Sequence, residues 1–192
     1  NDEYRVDLVS KYITQLNLSE DIKNYFLGRN ILVTGGAGAI GSNLVIALSE
    51  LVGQTGIVIV LDNLSAIKGD DPIDYPSLVN VMFVNGDIRN DVDLKRVFRE
   101  RPTIVYHLAA FFANQNSVDY PETSADVDIN GMIKLVDLAQ FTNVERFIYA
   151  SSGCASYGSY GEMPLKEDFI SMHLTTPYQI NKMAGEMYAN FY

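Results

Sequence analysis

From residue 30 onward, short runs of apolar residues alternate with stretches whose apolar positions recur every three to four residues. Ile31, Leu32 and Val33 predict a buried strand. Further strands are predicted at 57–61, 81–84, 104–106 and 147–149. Between them, 43–51 and 91–99 read as helices. Val127, Gly131, Leu135 and Leu138 keep the helical period and predict a long helix over 121–141. A last helix is predicted over 177–192, with Pro177 at a good opening position. Each strand is apolar throughout, so both of its faces are covered. That pattern implies an α/β fold, a doubly wound parallel sheet with helices on both sides. Such sheets take their ligands beyond the carboxyl ends of the strands.

Residues 1–28 break this pattern and read as a helical appendage ahead of the α/β unit at 29–192. Val9, Ile13 and Leu16 lie at helical spacing. Ser19 can cap a second short helix carrying Ile22, Tyr25 and Phe26, which Gly28 ends. Packing on the domain surface is the preferred reading of this stripe, and contact with a partner or a missing domain the alternative.

The 192 residues carry a net charge of −10. A surface that negative repels phosphate backbones, so nucleic acid is not an expected partner. An anionic ligand must be held locally, by backbone N–H groups or a few placed cations. The single cysteine, Cys154, excludes an internal disulfide and points to a reducing compartment, hence a cytoplasmic setting. The two histidines, His107 and His173, lie far apart, and no metal-binding spacing is present. No apolar run is long enough for a membrane span, and no secretory signal is visible. The chain starts at Asn1 rather than Met, which implies residues ahead of it.

The local anion holder lies directly after the first strand, in Thr34-Gly35-Gly36-Ala37-Gly38-Ala39-Ile40-Gly41. Gly36, Gly38 and Gly41 fit G-x-G-x-x-G, and Gly35, Gly38 and Gly41 fit the G-x-x-G-x-x-G variant. The glycines permit a tight turn and a close backbone approach to a pyrophosphate, and the helix N-terminus adds partial positive charge. Asp62 ends the second strand, about 20 residues past the last glycine, where a carboxylate accepts hydrogen bonds from the adenosine ribose diol. It would repel a 2′-phosphate. No Arg or Lys lies in the glycine loop, and Lys68 comes only later, so NAD is favoured over NADP. With strand, loop, helix and acid in register, the unit reads as a Rossmann-type NAD-binding domain.

Tyr178 and Lys182 form Y-x-x-x-K on the last predicted helix, which puts both side chains on one face. A free tyrosine, with a pKa of about 10, is a poor base at neutral pH. A lysine ammonium and a cationic nicotinamide ring would both stabilise its phenolate. Tyr178 could then take a proton from a substrate hydroxyl while hydride leaves for NAD. Ser151-Ser152 comes after the fifth strand, where a hydroxyl could bind the same substrate oxygen. Alone, Tyr178/Lys182 is a common accident and the serines are ordinary turn residues. Their joint occurrence with the glycine loop and Asp62, in this order, favours chemistry.

These pieces resemble the extended short-chain dehydrogenase/reductases, specifically the NAD-dependent nucleotide-sugar epimerase/dehydratase family of the UDP-sugar 4-epimerase kind. The resemblance runs from Asn30 to the C-terminus. It rests on Thr34–Gly41, Asp62-Asn63-Leu64-Ser65, Gly86-Asp87-Ile88, His107-Leu108-Ala109-Ala110, Asn130-Gly131, Phe147 to Ser152, Tyr157-Gly158 and Tyr178/Lys182. It implies Ser152, Tyr178 and Lys182 as catalytic residues. It implies Gly35, Gly38, Ala39, Ile40, Gly41, Asp62, Asn63, Ser65, Leu108, Tyr178 and Lys182 as cofactor-binding positions. Asp87 and Ile88 are implied at the adenine, Ala109 and Ala110 in the cofactor groove, and Asn130 facing the cofactor from the long helix. His107 reads as strand-end packing and His173 as a surface-loop residue.

The family oxidises a sugar hydroxyl first, and the fate of the resulting keto sugar depends on residues near the serine. Gly153-Cys154-Ala155-Ser156 holds no carboxylate, which argues against dehydration and decarboxylation, since both need a further acid or base. C4 epimerisation of UDP-glucose/galactose or UDP-glucuronate type, through a transient 4-keto sugar, remains. The segment from Ser152 to Tyr157 is one residue longer than in most 4-epimerases of the family. Counting back from Tyr157 makes Gly153 the hydroxyl position, while counting forward from the strand gives Ser152. Insertions belong in loops, so Ser152 is taken. Cys154 stands as a cysteine does in the GDP-mannose 3,5-epimerases, so 3,5-epimerisation is the runner-up, although a small buried residue is the preferred reading of Cys154. A non-catalytic NAD-binding fragment and a plain carbonyl reductase also stay open. The resemblance further implies a homodimer, through 121–141 and the last helix, and a smaller C-terminal substrate domain. The chain stops soon after Lys182, so that domain is absent and the piece alone is expected to be inactive.

Overall fold

The computed structural model describes residues 2–66, 78–112, 114–153, 157–158 and 162–192. Lys68 and Cys154 lie outside the described residues. Five parallel strands form one sheet: β1 (Asn30–Thr34), β2 (Ile57–Asp62), β3 (Val81–Asn85), β4 (Ile104–His107) and β5 (Arg146–Tyr149). Their spatial order is β3-β2-β1-β4-β5, the doubly wound Rossmann arrangement, which reverses between β1 and β4. Leu32 pairs with Ile59 on one side and Val105 on the other, so β1 is the central rail.

Successive β1 residues point to opposite faces and build two cores. Ile31 and Val33 join Val58, Val60 and Ile104 under α3 (Ala39–Val52). Leu32 joins Ile59, Leu61 and Val105 under α4 (Asp91–Phe98) and α7 (Met132–Gln140). The sequence places the start of the first covering helix at residue 43. It starts at Ala39, because Gly38 begins the helical hydrogen-bond ladder, accepting from Ser42 N–H. Ala39-Ile40-Gly41-Ser42 carries no apolar stripe that a periodicity reading could find.

The N-terminal helices α1 (Asp2–Gln15) and α2 (Glu20–Phe26) lie on the α3 side. Arg5 donates to Ser42 and the Ser10 hydroxyl to Glu50. Ser19 caps α2, its hydroxyl accepting from Ile22 N–H. Tyr25 and Phe26 pack on the core beneath.

The long predicted helix is three pieces end to end: α6 (Pro121–Ala125), a π-helical segment (Asp126–Gly131) and α7. Ahead of it lies α5 (Asn114–Asp119), a helix without an apolar period that is fixed by tertiary bonds. Buried Ser117 accepts the Tyr178 N–H at 3.0 Å, and Thr176 donates to the Asn114 side chain at 3.0 Å. The last helix, α8 (Pro177–Phe191), opens on Thr176, whose hydroxyl accepts from Gln179 N–H. Among the described residues no helix is long and apolar enough to cross a membrane.

Candidate active site

Parallel pairing brings every strand's carboxyl end to one edge, and the residues singled out in the sequence lie just beyond those ends. The glycine loop comes after β1, Asp62 closes β2, Asp87 and Ile88 come after β3, Leu108, Ala109 and Ala110 after β4, and Ser151-Ser152 after β5. The strand order reverses between β1 and β4, the crevice where such sheets bind dinucleotides.

The loop is built for close backbone approach. Gly35 has φ +70, and a Cβ there would stand 2.6 Å from Ala109 N. A Cβ on Gly41 would run into the Gly35 carbonyl oxygen. Helix α3 behind the loop has no acidic residue in its first turn and no side-chain cap at Gly38, so its positive end is left for an anion. Ala39 and Ile40 are exposed at that end. This cradle fits the pyrophosphate of a dinucleotide.

Asp62 holds the loop together. One carboxylate oxygen accepts from Ala37 N–H at 2.9 Å and the other from Leu64 N–H at 2.8 Å. Asn63 donates to Asp87 at 2.9 Å and accepts from Ser65 N–H at 3.0 Å, so the turns after β2 and β3 are tied. Asp87 also pairs with Arg89 at 2.7 Å. That guanidinium draws its carboxyl down to about 2. Asp62→Ala is expected to weaken NAD binding about 10-fold or more by calorimetry, since it removes two loop-ordering bonds worth about 1–3 kcal/mol together.

Below the crevice, His107 is buried and its Nδ1 lies 2.7 Å from the Thr34 hydroxyl. That hydroxyl also accepts from Ala109 N–H, which ties the ring to the loop after β4. Burial pushes the His107 pKa down to about 3. It is a packing histidine, held between the rings of Phe147 and Tyr149. The unfolded chain protonates it near 6.5, so the stability of the neutral buried form is fully present above that pH. It is lost as pH falls from 6.5 toward 3, at about 1.4 kcal/mol per unit. In urea unfolding, His107→Phe should reduce the slope of stability against pH across this window by about that amount.

Tyr178 and Lys182 share one face of α8. Lys182 is 3% exposed, and its ammonium donates to the Ala150 carbonyl at 2.8 Å. It lies 4.9 Å from the Tyr149 ring centroid and 5.9 Å from that of Tyr178. Ala150 immediately precedes the serine pair, so Lys182 ties α8 to the loop carrying half-buried Ser152. Burial pulls the Lys182 pKa below its ordinary value, and the Asp128 charge opposes that pull.

Two acids here escape a sequence reading. Glu186 continues the Tyr178/Lys182 stripe by one more turn and accepts the Ser151 hydroxyl. The four-residue spacing was its signal. Asp128 sits on the buried stripe of the long helix with Met132 and Leu135 and is 3% exposed. A carboxylate on an apolar stripe was its signal. Asn130, expected to face the cofactor, is exposed and its amide donates to Asp126. From this helix Asp128 accepts from Ser124, which in turn accepts from the amide of Asn181, the residue before Lys182. Ile88 packs against Gly131 of the same segment.

Comparison with known proteins gives the lineage. Residues 31–192 match the NAD dependent epimerase/dehydratase family. A UDP-glucose 4-epimerase of Mycolicibacterium smegmatis is 35% identical over 162 residues, covering 84% of this chain and 50% of the relative. An epimerase structure from Methanothermobacter thermautotrophicus superposes with TM-score 0.81 at 48% identity, covering 89% of this chain and 49% of the other. A UDP-glucose 4-epimerase from Thermus thermophilus in complex with NAD gives 0.72 at 35%, covering 85% and 50%. The chain thus spans about half the length of the relatives it matches. Its cofactor cradle, its strand order and these matches agree: the chain belongs to the NAD dependent epimerase/dehydratase family, whose cofactor is NAD.

Proposed function

We propose that this chain forms the cofactor-binding and proton-transfer part of an enzyme that inverts C4 of a nucleotide sugar of the UDP-glucose/galactose or UDP-glucuronate type. The observation that carries the reading is the buried Lys182 ammonium, fixed to the serine loop at Ala150 and set beside the Tyr178 ring. Those groups stand at the same sheet edge as the glycine cradle. The chemistry NAD supplies when bound is reversible hydride acceptance. Tyr178, as its phenolate, takes the proton of the C4 hydroxyl as the carbonyl forms and returns it when the carbonyl is reduced on its other face. Lys182 lowers the cost of the phenolate charge. Ser152 holds the same sugar oxygen by a hydrogen bond. Glu186 fixes Ser151 and thereby the loop. Gly35, Gly38, Ala39, Ile40 and Gly41 cradle the pyrophosphate, Asp62, Asn63 and Ser65 line the ribose side, and Asp87 and Ile88 the adenine. Leu108, Ala109 and Ala110 line the groove.

The names of the relatives support the UDP-sugar and the C4 position. We infer a cytoplasmic homodimer, with residues 1–28 as an appendage. Exposed Ile180, Met187 and Phe191 on α8 give the last helix an apolar outer face that supports such pairing. Incubation of the complete protein with UDP-glucose or UDP-glucuronate in D2O, followed by NMR, tests the reading. The C4 epimer should form without deuterium at C4, because the hydrogen leaves and returns as hydride. Deuterium at C3 or C5 would point to 3,5-epimerisation instead, and no epimer from a protein with NAD bound would overturn the proposal.

A further inference from the structure

One buried charge has no part in those roles. Asp128 lies in the π-helical segment, an irregularity that recurs at functional sites. Its carboxylate accepts from Phe111 N–H at 2.7 Å and from the Ser124 hydroxyl at 3.1 Å. Ser124 in turn accepts from the Asn181 amide at 2.9 Å, one residue before Lys182. A polar chain therefore runs from the π turn to the catalytic helix.

Lys182 is as deeply buried as Asp128, at 3% exposure each. A buried lysine without a counter-charge sheds its proton, and a neutral amine cannot hold a phenolate. Among the described residues its ammonium contacts a carbonyl oxygen and two ring faces, which orient a cation but carry no net charge. The titratable groups around it come from four elements. His107 on β4 is neutral. Tyr149 on β5 is held protonated by burial, its buried hydroxyl without a partner among the described residues. Tyr178 and Glu186 share α8 with Lys182, and the Glu186 carboxylate accepts the Ser151 hydroxyl. On Asp128, in the π turn, burial raises the carboxyl pKa while the Phe111 N–H and the Lys182 charge lower it, and a carboxylate there favours the Lys182 ammonium in return.

We propose that Asp128 is a positioning residue, the buried counter-charge that keeps Lys182 protonated and aimed at Tyr178. The inference rests on the proposed role of Tyr178 for its catalytic meaning, and its test is independent of turnover. In the complete, cofactor-free protein with 13Cε-labelled lysine, the Lys182 signal is assigned by its loss in Lys182→Met and followed against pH by NMR. Asp128→Asn keeps the size and the acceptor for Phe111 N–H but loses the charge. The Lys182 midpoint should fall by about one pH unit or more, a tenfold or greater loss of proton affinity. The alkaline limb of kcat/KM should move down with it. Asp128→Glu should restore most of the shift, which a merely structural role would not require. A folded Asp128→Asn protein with an unchanged Lys182 midpoint would overturn the proposal. Should Asp128→Asn not fold, the coupling is read in reverse: Lys182→Met should raise the Asp128 midpoint, followed by 13Cγ, and an unmoved midpoint overturns the proposal equally. A shifted midpoint in a protein that epimerises no sugar upholds the counter-charge and overturns only the reaction.

Discussion

Tyr178→Phe is expected to cut kcat by about 100- to 10,000-fold while NAD stays bound, the usual range for removing a positioned general acid or base. The ring's packing survives the change, because the backbone N–H of residue 178 still donates to Ser117 and Lys182 still reaches the Ala150 carbonyl. Only the proton carrier is lost. The loss should fall on kcat rather than on KM, since the phenol oxygen acts while the hydroxyl is losing its proton. Steady-state kinetics on the complete protein, with calorimetry for NAD, separates the two. Full activity in the phenylalanine variant would remove Tyr178 from the mechanism.

The second large effect is structural. Gly35→Ala should destabilise the fold by about 2–4 kcal/mol and abolish NAD binding. About 1–2 kcal/mol comes from placing an L side chain at positive φ, and a similar amount from overpacking. The contact cannot be relieved by a rotamer, because the added methyl meets the backbone of Ala109 rather than the end of a side chain. Either the loop after β4 moves or the glycine turn opens, and both line the crevice. Urea unfolding measures the first part and calorimetry the second. An alanine variant as stable as the parent, with NAD still bound, would contradict the cradle as described.

The sheet could be read from the sequence because its strands are short apolar runs, and Ile31 to Val33 and Val58 to Leu61 are buried on both faces. The glycine loop was legible because its spacing is dictated by sterics that a Cβ would violate. Elements held by tertiary bonds were not. Asn114–Asp119 has no apolar period, and it is helical because Ser117 and Asn114 bond to the start of α8. The π-helical turn is likewise silent in a period-3.6 reading. Within it Asp128 is buried and Asn130 is exposed. Glu186 was readable as the next turn of the Tyr178/Lys182 stripe, but its bond to Ser151 depends on how α8 meets β5.

A crystal structure of the complete protein with NAD decides whether a dinucleotide lies across the carboxyl edge of the sheet with its nicotinamide beside Tyr178. The pyrophosphate is expected on the Gly35–Gly41 turn, the adenosine ribose at Asp62 and the nicotinamide ring next to the Tyr178 hydroxyl and Lys182. A nicotinamide lying away from Tyr178, or a dinucleotide bound elsewhere on the molecule, would contradict this placement.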